Sequence, residues 1–309
     1  MKPTLAAIVS LWAALALPAR AEPEQPDVPF AALYSAITAE RDVDVKSGVA
    51  YGNLARQKLD IYEPKPGAAK LAPIVVFYYG GSWTAGDRSI YGFAGAALAS
   101  LGITTVIPDY RLFPGVQFPA FVDDAAAAYA WVARNVAVGC GAERPIIIVG
   151  HSAGAHIAAL LALDPHYLAD AGAAQKRPAG WIGLAGPYVF DPTTWDSTKA
   201  IFSTTAANPN AARPVAFARR DAPPALLIHG TGDDVVKISA TRELFDTLKA
   251  RGATAQKIEY DGVGHVGLVL TYSRPFRWRA DTLDSTIEFV TRVGGSQAAA
   301  DCMPKASSR

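Results

Sequence analysis

Charge is scarce in this chain: 18% of its 309 residues are Asp, Glu, Lys or Arg, the signs nearly balance, and no basic run interrupts them. A nucleic-acid partner would need clustered positive charge to meet phosphates, so that class is set aside. Cysteine is rarer still, with only Cys140 and Cys302, which excludes a dense disulfide scaffold. No apolar run reaches the roughly 20 residues of a membrane-spanning helix. The longest at the N-terminus, Leu5 to Leu17, follows Met1-Lys2 and stops at Ala19-Arg20-Ala21. That order is the charged region, apolar region and small-residue cleavage site of a secretory leader over residues 1–21, so export to the periplasm or beyond is expected. No cysteine closely follows the leader, which argues against a lipid-modified N-terminus and leaves no stable membrane anchor. Loss of Lys2 and Arg20 with the leader turns the formal charge of +1 slightly negative. Oligomeric state is not legible.

What the chain has in quantity is apolar mass, 50% of its residues, enough for one large core. One domain over 22–295 is expected, followed by a small polar tail, 296–309. Strand-like runs fall at Val43 to Val49, Gln57 to Tyr62, Ile74 to Tyr79, Ile103 to Ile107, Ile146 to Val149, Trp181 to Leu184, Ala225 to His229 and Gln256 to Tyr260. The first two read as an antiparallel entry. Helical spacing marks Tyr91 to Ser100, Phe118 to Asn135, Ala153 to Leu163, Ser239 to Ala250 and Arg279 to Val293. Alternation of the two predicts an α/β class with a mostly parallel eight-stranded sheet covered on both faces. Residues 186–224, broken by Pro187, Pro192, Pro209 and Pro214, suggest a small lid over the carboxyl edge. Cys140 precedes the strand leading to Ser152, and Cys302 follows a last helix that should run back to that end. A Cys140–Cys302 disulfide is therefore expected in an exported chain.

The most informative segment is Gly150-His151-Ser152-Ala153-Gly154, set between the run Pro145 to Val149 and the run Ala155 to Leu161. Strand, sharp turn and helix in that order push a serine hydroxyl out on a tip, and only glycines let the two backbones come close enough. A serine hydroxyl is a weak nucleophile until a base takes its proton, so a histidine, an orienting carboxylate and oxyanion donors are implied elsewhere. Of five histidines, His265 is best placed, in the loop Asp261 to His265 after a strand, at the edge where open α/β sheets bind ligands. The acid should fall between serine and histidine. Asp233 fits, because Gly230-Thr231-Gly232 turns the chain after a buried-type strand, while its neighbour Asp234 is expected to face solvent. Paired glycines in Tyr79-Gly80-Gly81-Ser82-Trp83 offer unobstructed amides, which assigns Gly81, Ser82 and Ala153 as oxyanion donors.

These segments, with Gly86-Asp87 and Asp109-Tyr110-Arg111-Leu112, resemble the α/β-hydrolase family, and within it the carboxylesterases related to hormone-sensitive lipase and the bacterial feruloyl-esterase-like proteins. The resemblance covers nearly the whole mature chain. It implies an α/β-hydrolase fold and hydrolysis of a small-molecule ester through an acyl-enzyme on Ser152, with Asp233 and His265 completing the triad and with no metal or organic cofactor. Tyr79 stands where the family's donor loop commonly opens with histidine, a departure that bears on loop support. Arg111 is expected to serve a structural turn rather than grip an acidic substrate. Trp83, Tyr188, Phe190 and Trp195 are candidates for a mouth that takes an uncharged acyl or aryl group. An amidase or arylformamidase with the same triad, a peptidase on this fold, and a non-catalytic binding module are the alternatives.

Overall fold

The computed structural model describes residues 43–66, 73–139 and 142–295. The expected leader, the C-terminal tail and both cysteines lie outside the described residues. Eight strands form one sheet: β1 (Val43–Ala50), β2 (Lys58–Pro64), β3 (Ile74–Tyr78), β4 (Thr104–Pro108), β5 (Ile146–His151), β6 (Gly180–Leu184), β7 (Ala225–Gly230) and β8 (Ala255–Tyr260). Their order across the sheet is β1-β2-β4-β3-β5-β6-β7-β8. β1 pairs antiparallel with β2, and β2 antiparallel with β4, as the antiparallel entry; every later pairing is parallel.

β3, β4, β5, β6 and β7 are buried at every position. Burial on both faces explains why they read as continuous apolar runs rather than alternating ones. The cover is supplied by helices α1 (Gly92–Ser100), α2 (Ala120–Asn135), α3 (Ala153–Leu163), α4 (Pro165–Asp170), α5 (Ser239–Ala250), α6 (His265–Leu270) and α7 (Thr282–Gly294). α3 is buried over its entire length, whereas α7 buries only Thr282, Leu283, Thr286, Phe289 and Val290, the stripe of a half-covered helix. Among the described residues no helix is long and apolar enough to cross a membrane.

Two of these helices escaped the periodicity. α4 is capped by the Asp164 carboxylate on the His166 amide and is too short to show a repeat. α6 carries Gly267 and two β-branched valines, a weak helix-forming set held by its surroundings. The last helix starts three residues later than expected, because Pro275 begins a 3-10 turn over Arg274–Arg279.

Residues 186–224 contain 3-10 turns at Ser203–Thr205, Pro209–Ala212 and Pro214–Phe217. The expected lid is a packed cover, since Tyr188, Phe202 and Ala212 are wholly buried. His156 on α3 donates from Nε2 to the Ala212 carbonyl at 2.7 Å, and Arg219 donates to the Leu163 carbonyl at 3.0 Å, so the cover is tied to the helix behind the serine.

Candidate active site

β5 runs straight into the turn that carries Ser152, whose backbone sits at φ 56°, ψ −120°. Such a conformation costs about 1–3 kcal/mol and persists only where neighbours hold it. Here the Ser152 amide donates to the Leu184 carbonyl at the end of β6, at 2.9 Å. Close packing dictates the flanking glycines: a Cβ on Gly150 would lie 2.2 Å from the Gly154 carbonyl oxygen, and one on Gly154 would lie 2.0 Å from that of Tyr78.

The loops after β7 and β8 are stitched to one another. Thr231 donates its amide to the Tyr260 carbonyl at 2.9 Å and its hydroxyl to Asp261 at 2.9 Å, and Gly232 donates to the Val263 carbonyl at 3.1 Å. This places Asp233 beside His265, the first residue of α6. His265 Nδ1 donates to Asp233 Oδ2 at 2.7 Å, and Ser152 Oγ lies 2.8 Å from His265 Nε2. Three side chains from distant points in the chain therefore form one hydrogen-bonded line. Ser152 and His265 keep 9% and 8% of their surface exposed.

Asp233 is better served than its place in the sequence suggested. Its Oδ1 accepts from the amides of Val235 and Val236, each at 2.9 Å, while Oδ2 also accepts from His229 Nε2 at 3.0 Å. Burial opposes its ionisation, but the hydrogen bonds from His229 and His265 and the Val236 amide outweigh burial and hold the carboxyl well below the usual range. The sequence marks His229 only as the end of a strand. The signal that could have found it is its position four residues before the acid, in a turn that closes back on itself. Asp234 is exposed, as expected.

In the loop after β3, Gly81, Ser82 and Trp83 take successive positive φ values of 133°, 53° and 60°. The turn closes through the amides of Thr84 and Ala85 on the Gly81 carbonyl, both at 3.0 Å. Among the described residues the Gly81 and Ser82 amides donate to no acceptor, and the Ala153 amide opens α3, where no carbonyl of its own helix can reach it. The Gly80 amide, in contrast, donates to Tyr91 Oη at 3.2 Å.

Tyr79 supports this loop in place of the customary histidine. Its ring stacks on Tyr110, 4.6 Å between centroids, and its hydroxyl donates to Asp109 Oδ1 at 3.0 Å while accepting from Arg56 Nη2 at 2.8 Å. Arg56 also donates to the Tyr110 and Gly86 carbonyls, which binds three segments together. Nothing in the sequence around Arg56 marked it. Arg111 grips Asp124 through Nε at 2.7 Å and Nη2 at 3.0 Å, the structural role expected of it. Asp124, inside the helix, is the buried half of that pair.

Of the mouth candidates, Trp83 is itself a correction, 3% exposed and packed in the core with its ring stacked on Phe190 at 6.2 Å and edge-on to Phe202 at 4.9 Å, while Trp195 is exposed. Tyr188 is a correction: it is wholly buried, edge-on to Trp181, because the adjacent Gly183 and Gly186 leave room for its ring inside the core. Among the described residues no group of three or more His, Cys, Asp or Glu side chains is arranged to hold a metal ion.

The BD-FAE family model matches residues 59–176 and the prolyl oligopeptidase family model matches 120–292, more than half of the chain. Esterase LipC of Mycobacterium tuberculosis is 31% identical over 70% of this chain and 58% of its own length. The isoprenylcysteine alpha-carbonyl methylesterase ICME of Arabidopsis thaliana is 29% identical over 77% of this chain and 60% of its own. The chain thus spans about three fifths of the length of these curated relatives. Among solved structures, esterase B from Lactobacillus rhamnosis superposes with a TM-score of 0.70 at 21% identity, covering 94% of this chain and 95% of the other. A truncated carbohydrate esterase from gut microbiota gives 0.68 at 20% identity, over 83% and 99%. The chain belongs to the α/β-hydrolase family, among the serine hydrolases that the BD-FAE and prolyl oligopeptidase models describe.

Proposed function

We propose that this protein is a serine carboxylesterase that cleaves small, uncharged carboxylic esters. The observation that carries the reading is the unbroken hydrogen-bonded line from Ser152 Oγ through His265 to Asp233. His265 Nε2 takes the serine proton as Oγ attacks the ester carbonyl, and the Asp233 carboxylate steadies the imidazolium that forms. The amides of Gly81, Ser82 and Ala153 hold the tetrahedral oxyanion. Protonated His265 then gives its proton to the leaving alcohol, and water, activated by the same imidazole, releases the acid from Ser152.

Two features support an uncharged substrate. Arg111 is committed to Asp124, and the half-buried Phe190 stacks on Trp83 of the donor loop. Ester chemistry also appears in the names of the relatives.

Hydrolysis of a p-nitrophenyl ester series by the wild type, with fluorophosphonate labelling of Ser152, tests the assignment. Ser152→Ala should lose both labelling and turnover while keeping its circular dichroism spectrum. Wild-type turnover in that variant would refute the assignment. Export behind residues 1–21 completes the reading. N-terminal sequencing of the protein recovered from the periplasm should begin at Glu22.

A further inference from the structure

The mechanism leaves unused a chain of polar groups that runs behind the nucleophile. Gly80 lies against Ser152, since a Cβ on Gly80 would stand 2.9 Å from Ser152 Cβ. Its amide donates to Tyr91 Oη at 3.2 Å; Tyr91 Oη lies 2.9 Å from His151 Nδ1; and His151 Nε2 lies 3.2 Å from the backbone carbonyl oxygen of His265. Tyr91 and His151 are 1% and 3% exposed, so water does not compete for these contacts.

Chemistry fixes the direction of each bond. A carbonyl oxygen can only accept, so His151 Nε2 must carry hydrogen. In a neutral imidazole Nδ1 is then bare and accepts the Tyr91 hydroxyl proton, and the tyrosine oxygen is left to accept from Gly80. Burial, together with the nearby His265, pushes the His151 imidazole down to about 3, so it stays neutral when His265 becomes charged. Its ring centroid is 4.9 Å from that of His265, close enough for a second cation to oppose the imidazolium.

Building on the triad and donor assignments above, we propose that Tyr91 and His151 are positioning residues, a relay that holds the oxyanion loop in register with the catalytic base. One end of the relay is the residue directly before the donor amides of Gly81 and Ser82. The other is the backbone of His265 itself. The relay also withdraws the Gly80 amide from the oxyanion donors. Slack in it would shift the donors relative to the base, which weakens interactions made in the transition state more than those made with bound substrate.

The test is the kinetics of Ser152 phosphonylation by a fluorophosphonate probe, which needs base and oxyanion donors but no ester turnover. Tyr91→Phe and His151→Phe should each lower the maximal labelling rate about tenfold, with the half-saturating probe concentration changed less than about twofold. The double variant should be no slower than the slower single one, because either change opens the same relay. His151→Gln, which restores an N–H near the His265 carbonyl, should recover a rate within about threefold of wild type. Unchanged rates in the single variants, or losses that simply multiply in the double, would overturn the relay. If Tyr91→Phe does not fold, His151→Phe against His151→Gln decides, and equal rates reject it. Ester hydrolysis by the wild type is read separately, so a protein that labels normally but cleaves no ester counts against the substrate assignment and leaves the relay standing.

Discussion

His229 and His265 donate to the same atom, Oδ2 of Asp233, from 3.0 and 2.7 Å. The other oxygen is filled by two backbone amides, so the carboxylate cannot rotate without losing several bonds at once. Its orientation toward the base is thereby set by the turn after β7 rather than by the base alone.

Asp233→Asn should therefore lower kcat on p-nitrophenyl butyrate by about 10⁴-fold, because the amide no longer selects the imidazole tautomer that leaves Nε2 free to accept. Asp234→Asn changes the same formal charge one residue away, on an exposed side chain, and should keep kcat within about twofold.

Tyr79→Phe removes a hydroxyl that links Arg56 to Asp109 but leaves the ring stacked on Tyr110. The expected cost is about 1–3 kcal/mol of unfolding free energy in a denaturant titration, the cost of leaving buried partners short of a bond. Because the ring still fills its place under the loop, kcat should change less than about threefold.

Arg111→Met strands the Asp124 carboxylate, whose side chain is 2% exposed, with Gln57 and the Arg111 amide as remaining donors. Loss of about 3 kcal/mol is expected, the scale for breaking a buried pair from one side. Relative kcat/KM for neutral and anionic esters should not move; a selective loss on anionic esters would reveal a substrate-gripping role.

Stability should fall on the acid side well before the carboxylates protonate. Burial pushes His151 down to about 3 and His156 down to about 4 in the folded protein, the latter against the favourable bond to Ala212. Unfolded imidazoles take up protons near pH 6.5, so below that pH the unfolded state binds more protons than the folded one. Each histidine should then remove about 1.4 kcal/mol per pH unit as pH drops from about 6.5 toward 4. Urea titrations across that range measure the slope, and His156→Gln should roughly halve it. An unchanged slope in that variant would count against the assignment.

The depth of the sequence reading differed by kind of residue. Ser152 was legible because its glycines, the preceding strand and the following helix are contiguous, and because close backbone approach restricts those positions to glycine. Asp233 and His265 were legible one step further, through strand ends and chain order. His229, His151, Tyr91 and Arg56 were not. His229 bonds within its own turn, four positions from Asp233, but the others bond to groups whose distance along the chain gives no local cue, such as the 60 positions between Tyr91 and His151 or the 114 between His151 and the His265 carbonyl.

By itself the sequence determined the alternation that builds a parallel sheet and the turn that presents the hydroxyl, because both are written in short-range backbone sterics and hydrophobic period. Only the tertiary structure decided that the proline-broken segment packs as a fixed cover, that Tyr79 is braced by Arg56 and Asp109, and that Gly80 spends its amide on Tyr91. Those outcomes depend on which buried donors and acceptors meet once the core closes. A buried polar group must find its partner wherever the fold brings one, and neighbours in sequence do not reveal where that is.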